Sequence, residues 1–407
     1  MTESAASPPL SSPPLAGLRV IESATLAAGP MVGTYLGAEL AEVIKVEMPG
    51  TGDPLRTWGV RKDGIGLMWK SVARNKRCIT LDLRRPAGQD LFHRLVGGSD
   101  VLIVGNRPSA LERWGIDWNS VHALHPQVVM CHVTGYGRGG HASDRPGYGT
   151  LAEAMSGFAH LTGQADGPPT LPPFMLADGV ASMAAASAVM MALYHRDVHG
   201  AGGQLVDVNL IEPLARLMEW NTLTVDQLGE VPRRQGNRLD ASAPRNAYLT
   251  SDGRWLAISS ASPNIAARVY RSIGRADLAE HPDYMDPIRR QDRAVEVDQL
   301  VADWVRTRTM DEAMSVFLEA DVAAAPVYDG AQLLADEHLA SRGTFVEVDD
   351  DELGPVRVQA PVAQLSHTPG TIGRLGPALG ADNDEVYEAL LGLDAEDRAA
   401  LAADGVI

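Results

Sequence analysis

One acid stands alone in this chain. From Thr170 to Leu193 the only charged side chain is Asp178, set between the apolar residues 174–177 and a long run of Gly, Ala, Ser, Val and Met. Two readings of that carboxylate are open. Asp is a favoured helix cap, its oxygen accepting a backbone N–H of the first turn. Ala181 stands where a capping box would need Glu or Gln, so a reciprocal cap is missing. The other reading is chemical. A helix N-terminus carries roughly half a positive charge and favours an ionised carboxylate. Held in a dry pocket, that carboxylate can attack an activated carbonyl and form a covalent intermediate.

The elements that would position it read as an α/β protein. Residues 18–23 form a buried strand, Ala27-Ala28-Gly29-Pro30 a turn with Pro30 as a first helical residue, and residues 42–47 a second strand. Strand, helix and strand in so short a span predict a βαβ unit with parallel strands. The alternation continues through strands at 78–83, 100–105 and 128–134, with helices at 86–96 and 118–124. Ligands of such open sheets bind beyond the carboxyl ends of the strands. Basic residues collect there: Arg74, Lys76 and Arg77, then Arg84 and Arg85, then Arg107 and Arg113. On a chain of net charge -17 they mark either a solvated surface or a local site for an anion, with phosphate the best match.

The glycine-rich run Gly135-Tyr136-Gly137-Arg138-Gly139-Gly140 resembles a dinucleotide fingerprint only superficially. It follows the fifth strand, and a polar loop rather than a helix comes next, so the context fails. Helices are expected at 151–161 and 210–228. Near residue 220 the texture changes; a hairpin over 247–260, turning at Ser251–Arg254, opens a smaller α+β domain. Strand-like segments return at 325–327 and 354–358, and the tail 384–407 reads as two amphipathic helices.

Composition sets bounds. At 407 residues, two domains are the default, and 45% hydrophobic with 21% charged residues is an ordinary globular balance. The acidic balance argues against nucleic acid and anionic membrane surfaces as partners. The segment after Asp178 comes nearest to a membrane span, but its Ala and Ser content reads as a packed internal helix. Residues 1–14 are Ser- and Pro-rich and are expected to be disordered. A cytoplasmic location is expected. Cys78 and Cys131 lie in apolar runs as inert thiols. No metal motif is present, and His132, His141 and His160 are read as ordinary histidines.

Taken in order, several segments resemble the class III CoA-transferases, the group of formyl-CoA transferase and carnitine CoA-transferase with α-methylacyl-CoA racemase as a sister. They are residues 15–20, Ala28-Gly29-Pro30, residues 37–39, 42–47 and 52–56, Asn75-Lys76-Arg77, Leu81-Asp82-Leu83, Asn106-Arg107-Pro108, Arg145-Pro146-Gly147-Tyr148 and Leu176-Ala177-Asp178-Gly179. Residues 252–255, 325–327, 342–343 and 405–407 extend the likeness to the end of the chain. The resemblance implies a Rossmann-like large domain with a parallel sheet, a smaller α+β domain, and a homodimer of interlocked rings. It places the first part of the large domain at 15–220, the small domain at 221–325 and the return segment at 326–407. It implies CoA transfer from an acyl-CoA to a small free carboxylic acid, with no tightly bound cofactor and no metal, and Asp178 as the nucleophile. Acyl-CoA racemisation with Asp178 as a base is the alternative. For CoA binding it implies Ala27 and Ala28 near the pantetheine, Leu81, Asp82, Leu83, Arg84, Asn106, Arg107 and Pro108 around the nucleotide, Arg113 on phosphate, and Gly147 and Tyr148 near the thioester.

Four departures matter. Tyr148 stands where the racemases carry His, and a phenol of pKa about 10 is a poor second base at neutral pH. Met48 replaces a family cation after the second strand. Gly380-Ala381-Asp382-Asn383 replaces the usual Gly-Glu-His-Thr. With no glycine-rich lid around 231–245, oxalate is not the expected acceptor.

Overall fold

The computed structural model describes residues 13–407. The expected disordered tail therefore lies outside the described residues up to residue 12, while Pro14–Gly17 is a turn. The chain divides into two compact units. The larger comprises residues up to Phe158, Leu171–Leu223 and His338–Ile407; the smaller comprises Ala159–Thr170 and Thr224–Glu337. Ala159–Thr170 and residues 326–337 thus group with the smaller unit, where the sequence put them in the larger one.

The larger unit is built on six parallel strands: β1 (Arg19–Ser23), β2 (Glu42–Glu47), β3 (Lys76–Thr80), β4 (Val101–Val104), β5 (Val129–Thr134) and β6 (Leu205–Asn209). Their order is β3-β2-β1-β4-β5-β6. Successive side chains point to opposite faces, and both faces are covered, which is why a strand such as β4, VLIV, is apolar on both sides. Val20, Val101, Ile103 and Cys131 face one helical layer; Ile21, Leu102, Val104 and Met130 face the other. The first layer holds α1 (Ala28–Ala38) and the long helix Leu176–His199. The second holds α2 (Pro86–Gly97) and the C-terminal helix Asn383–Leu391.

Helix Leu176–His199 is long and apolar enough to cross a membrane by length and composition alone. Its Ala177, Ala181, Ala185, Val189 and Ala192 are buried against α1 and the sheet, so it is a core helix of this unit.

Strand β3 starts and ends earlier than expected, so Leu81–Arg84 lies beyond it as a turn. The expected helix over 151–161 is two, Gly149–Met155 and Phe158–Leu161, parted at Gly157 with φ 93°. The expected helix over 210–228 is also two, Glu212–Arg216 and Glu219–Leu228. The return segment closes the sheet's edge. Asp382 Oδ2 accepts the Cys78 N–H at 2.6 Å, Asn383 Oδ1 accepts the Thr80 N–H at 2.9 Å, and the Tyr387 hydroxyl donates to the Thr80 carbonyl at 2.6 Å. The smaller unit has an antiparallel sheet of Ala324–Pro326, Trp255–Ser259 and Arg245–Leu249 over its own core, which includes Leu256, Val301 and Phe317.

Charges are buried in the α1 layer. Glu22 of β1, Lys45 of β2 and Lys76 of β3 are all fully covered. Glu22 takes one ammonium on each oxygen, Lys45 at 3.0 Å and Lys76 at 2.8 Å. Lys45 also reaches Asp53 at 2.8 Å. Burial alone would lower the Lys45 pKa, but Glu22, Asp53 and Glu47 outweigh it and hold the ammonium above its ordinary range. Removing one partner of such a set strands the others in low dielectric, at a cost of about 3–5 kcal/mol. Lys45→Met is therefore expected to destabilise the protein by about that much in urea unfolding. A loss below about 1 kcal/mol would mean the network carries little.

Candidate active site

The crevice lies where the strand order reverses, beyond the carboxyl ends of β1 and β4. Open parallel sheets leave room there because adjacent connections depart to opposite faces. The turn after β1 forms one wall, and the buried charges fix it. Lys45 donates to the Ala24 carbonyl at 2.8 Å and Lys76 to the Pro30 carbonyl at 2.6 Å, so the turn is gripped at both ends. Between them Leu26 is held at φ 64°, a conformation costly for a branched side chain. Its N–H donates to Asp53 Oδ1 at 3.0 Å. The turn then presents the first turn of α1, whose opening N–H groups have no partner within the helix.

Asp178 faces that turn. It sits in the first turn of its helix, two residues inside the start at Leu176. The N-cap is Met175, without a side-chain cap, so the capping reading of Asp178 fails. A cap comes instead from Glu153, buried on helix Gly149–Met155, whose Oε1 accepts the Ala177 N–H at 3.3 Å. Glu153 also bears on Asp178 electrostatically. Burial raises the Asp178 pKa above its ordinary 3.8, its own backbone N–H pulls it back, and the Glu153 charge raises it further. A carboxylate of raised pKa is a stronger nucleophile and base, though a smaller fraction of it is ionised at low pH.

Glycine is required beside it. A Cβ on Gly149 would lie 2.1 Å from Asp178 Oδ2. The loop before Gly149 is positioned by a second close approach, since a Cβ on Gly135 would fall 2.5 Å from the Gly147 Cα. The two backbones touch there, fixing Gly147 and Tyr148 against the end of β5. The glycine-rich run itself opens into turns, with the Gly137 N–H held by Thr134 Oγ1 at 2.9 Å.

Two cavities meet at Asp178. The first, of about 240 Å³, is lined by Ala27, Ala28, Gly29, Asn106, Arg107, Arg145, Gly147, Tyr148 and Asp178, among others. It shares Thr25 and Asn106 with a smaller hollow of about 100 Å³ over Leu81, Leu83, Arg84 and Trp114. Together they make a trough leading away from the carboxylate along the strand ends, with Arg107, Arg145 and Arg84 on its walls. On the other side, Leu26, Ala27, Tyr148 and Asp178 also border an apolar cavity of about 740 Å³.

The expected site residues divide accordingly. Ala27, Ala28, Asn106, Arg107, Gly147, Tyr148 and Asp178 come together in the first cavity, and Leu81, Leu83 and Arg84 in the adjoining hollow. Asp82 lines none of these cavities. It grips Arg84 through two contacts of 2.8 Å, which hold its carboxyl down at about 2. Pro108 starts the helix Pro108–Trp114, and Arg113, in that helix's last turn, is exposed and lines neither hollow. His132 is buried with Nε2 2.7 Å from the Asn106 carbonyl, and burial lowers its pKa, so it steadies the crevice as a neutral ring. Burial pushes the Cys131 thiol up to about 12. Sequence reasoning missed Glu153, Gly149 and the Glu22–Lys45–Lys76–Asp53 set. The charged residues inside otherwise apolar strands β1 and β2 were the available signal.

A sequence model of CoA-transferase family III matches residues 15–383. The succinyl-CoA–D-citramalate CoA-transferase of Chloroflexus aurantiacus is 39% identical over 97% of this chain and 98% of its own length. The beta subunit of that bacterium's succinyl-CoA–L-malate CoA-transferase is 38% identical over 93% and 95%. A CAIB/BAIF family protein from Brucella suis, solved by crystallography, superposes with a TM-score of 0.82 at 28% identity, covering 93% of this chain and all of its own. With its doubly wound sheet and a lone carboxylate at the switch-point crevice, the chain belongs to CoA-transferase family III. It is a CoA-transferase, an enzyme that moves CoA from an acyl-CoA thioester to a free carboxylic acid.

Two outcomes follow from this geometry. Gly149→Ala is expected to displace the Asp178 carboxylate and cut kcat at least tenfold with little change in melting temperature. Wild-type kcat in this variant would show that the close approach is dispensable. The pH dependence has a fixed sign. Because the folded pKa of Asp178 is raised, its ionisation costs stability above that pKa, and the cost is relieved as pH falls through it. Asp178→Asn is thus expected to raise stability near pH 7 by on the order of 1 kcal/mol while abolishing transfer. Activity should fall on the acid side at a pH above 3.8. A melting temperature lowered by the substitution would contradict this.

Proposed function

We propose that Asp178 is the nucleophile and carries the group being exchanged. Its carboxylate oxygen attacks the thioester carbonyl, the C–S bond breaks, and CoA leaves as thiolate from a mixed anhydride. The thiolate then attacks the aspartyl carbonyl, freeing the donor acid and leaving an aspartyl-CoA thioester. The acceptor carboxylate attacks that carbonyl, again expelling thiolate. The thiolate takes the new acyl group from the second anhydride and restores Asp178. The observation that carries this reading is the convergence on one carboxylate of a trough with basic walls and an apolar cavity.

The chain's own groups have assignable parts. Arg107 and Arg145 offer charge-assisted donors to phosphate or to the pantetheine's carbonyls. N–H groups in the first turn of α1 are suited to a developing oxyanion. Bound together, thioester and carboxylate gain effective molarity that a carboxylate lacks in water. The relatives' names pair succinyl-CoA with hydroxy-dicarboxylic acids, which supports acyl-CoA and a carboxylic acid as this enzyme's two substrates.

The same reading includes an intertwined homodimer. What supports it is the outer side of helix Leu176–His199, where Met191 and Tyr194 are 71% and 61% exposed beside Met183 and Val198. An apolar stripe of that kind usually marks a protein interface. The acidic composition is compatible with a cytoplasmic setting, which is part of the proposal. Treatment of acyl-CoA-loaded enzyme with hydroxylamine is expected to give a hydroxamate on Asp178, found by peptide mass spectrometry. Unlabelled enzyme, together with an active Asp178→Ala variant, would remove Asp178 from the reaction.

A further inference from the structure

The trough accounts for CoA. The cavity on the other side of Asp178 is left for whatever the carboxylate holds. When a thioester reaches Asp178 from the trough, its carbonyl carbon lies at the carboxylate, and its substituent must continue across into the second cavity. The acid released or accepted occupies the same space. That space is walled by Leu26, Trp58, Met68, Leu151, Phe174 and Met175. Its size, about 740 Å³, is that of a small-molecule pocket rather than a slot for two carbons.

Its charges are one-sided. The ionisable groups on its lining are Asp178, Glu153 and Tyr148, and among the described residues no Lys, Arg or His lines it. The arginines of the site, Arg107 and Arg145, line the first cavity. A second carboxylate on the substrate would therefore be desolvated against apolar side chains, near two protein carboxylates, with no cation of this chain on the lining to meet it. An apolar substituent meets no such opposition, and each methylene moved from water onto that wall is worth about a fourfold gain in affinity.

We infer that this enzyme exchanges CoA between apolar monocarboxylic acids, branched-chain, medium-chain or aromatic, rather than the dicarboxylic acids in its relatives' names. The inference rests on the reading of Asp178 as the residue that holds the exchanged group. The pocket then sets specificity by excluding a distal charge as well as by holding an apolar body. Phe174 and Trp58 are 65% and 50% exposed, which places large apolar surfaces on this pocket still open to a ligand.

The test uses the full-length enzyme and four donors: hexanoyl-CoA, isovaleryl-CoA, phenylacetyl-CoA and succinyl-CoA. Each is offered to pooled hexanoate, isovalerate, phenylacetate, succinate and L-malate, and the new thioesters are identified by mass spectrometry. At least one apolar donor is expected to exceed succinyl-CoA at least tenfold in kcat/KM, with apolar acids the preferred acceptors. Phe174→Arg and, from a different element, Leu151→Lys should each narrow that ratio by weakening the apolar donor and favouring succinyl-CoA. Equal or better use of succinyl-CoA with succinate or malate, while hydroxylamine still traps Asp178, would overturn the selectivity and leave the mechanism standing. No exchange from any donor, together with an unlabelled Asp178, would overturn the mechanism and this inference with it.

Discussion

The site depends on a set of charges that never meet water. Glu22, Lys45 and Lys76 stand on three neighbouring strands, on the face covered by α1, and Asp53 joins them from the next loop. Buried ions rarely add net stability compared with well-packed apolar residues of the same size. Their value here is positional. Two ammoniums take backbone carbonyls at either end of the 24–30 turn, and Asp53 takes the N–H of its most strained residue. The turn is thus tied to the buried charges beneath it, and it forms a wall common to the cavities on both sides of Asp178.

The carboxylate itself is placed by less conspicuous means. Glu153 holds the start of the long helix from outside, which frees Asp178 from capping and leaves its oxygens for other partners. Gly149 supplies the space those oxygens occupy. The same Glu153 also keeps the neighbouring carboxyl's proton affinity high. The Asp178 carboxylate is in this way held in surroundings that oppose its ionisation.

Much of this was legible in the residues. The apolar strand segments and the turn at 27–30 gave the strand–helix–strand start, and Asp178 stood out because nothing charged surrounds it in the sequence. The trough-facing residues from Ala27 to Tyr148 were within reach through the family resemblance of their segments. What escaped was set by contacts distant in sequence. Glu153 caps a helix that begins 23 residues later, so no local motif records it. Leu81–Leu83 read as strand because its apolar residues continue the pattern of β3, yet the strand ends at Thr80, with the return segment bonded along its outer edge. Arg113 matched a cation position by spacing along the chain, but its helix directs it away from the hollows. Two-helix outcomes at 149–161 and 212–228 show periodicity running on past real breaks.

The covering of strand β3 by Asp382, Asn383 and Tyr387 has a consequence for synthesis. The groups that satisfy Cys78 and Thr80 are encoded some 300 residues downstream, beyond the whole of the smaller unit. While the nascent chain is still on the ribosome, that sheet margin has unsatisfied N–H groups and remains a template for any strand nearby. The smaller unit can mature in the meantime, as domains generally fold in the order they emerge. The larger one closes only when its last residues arrive.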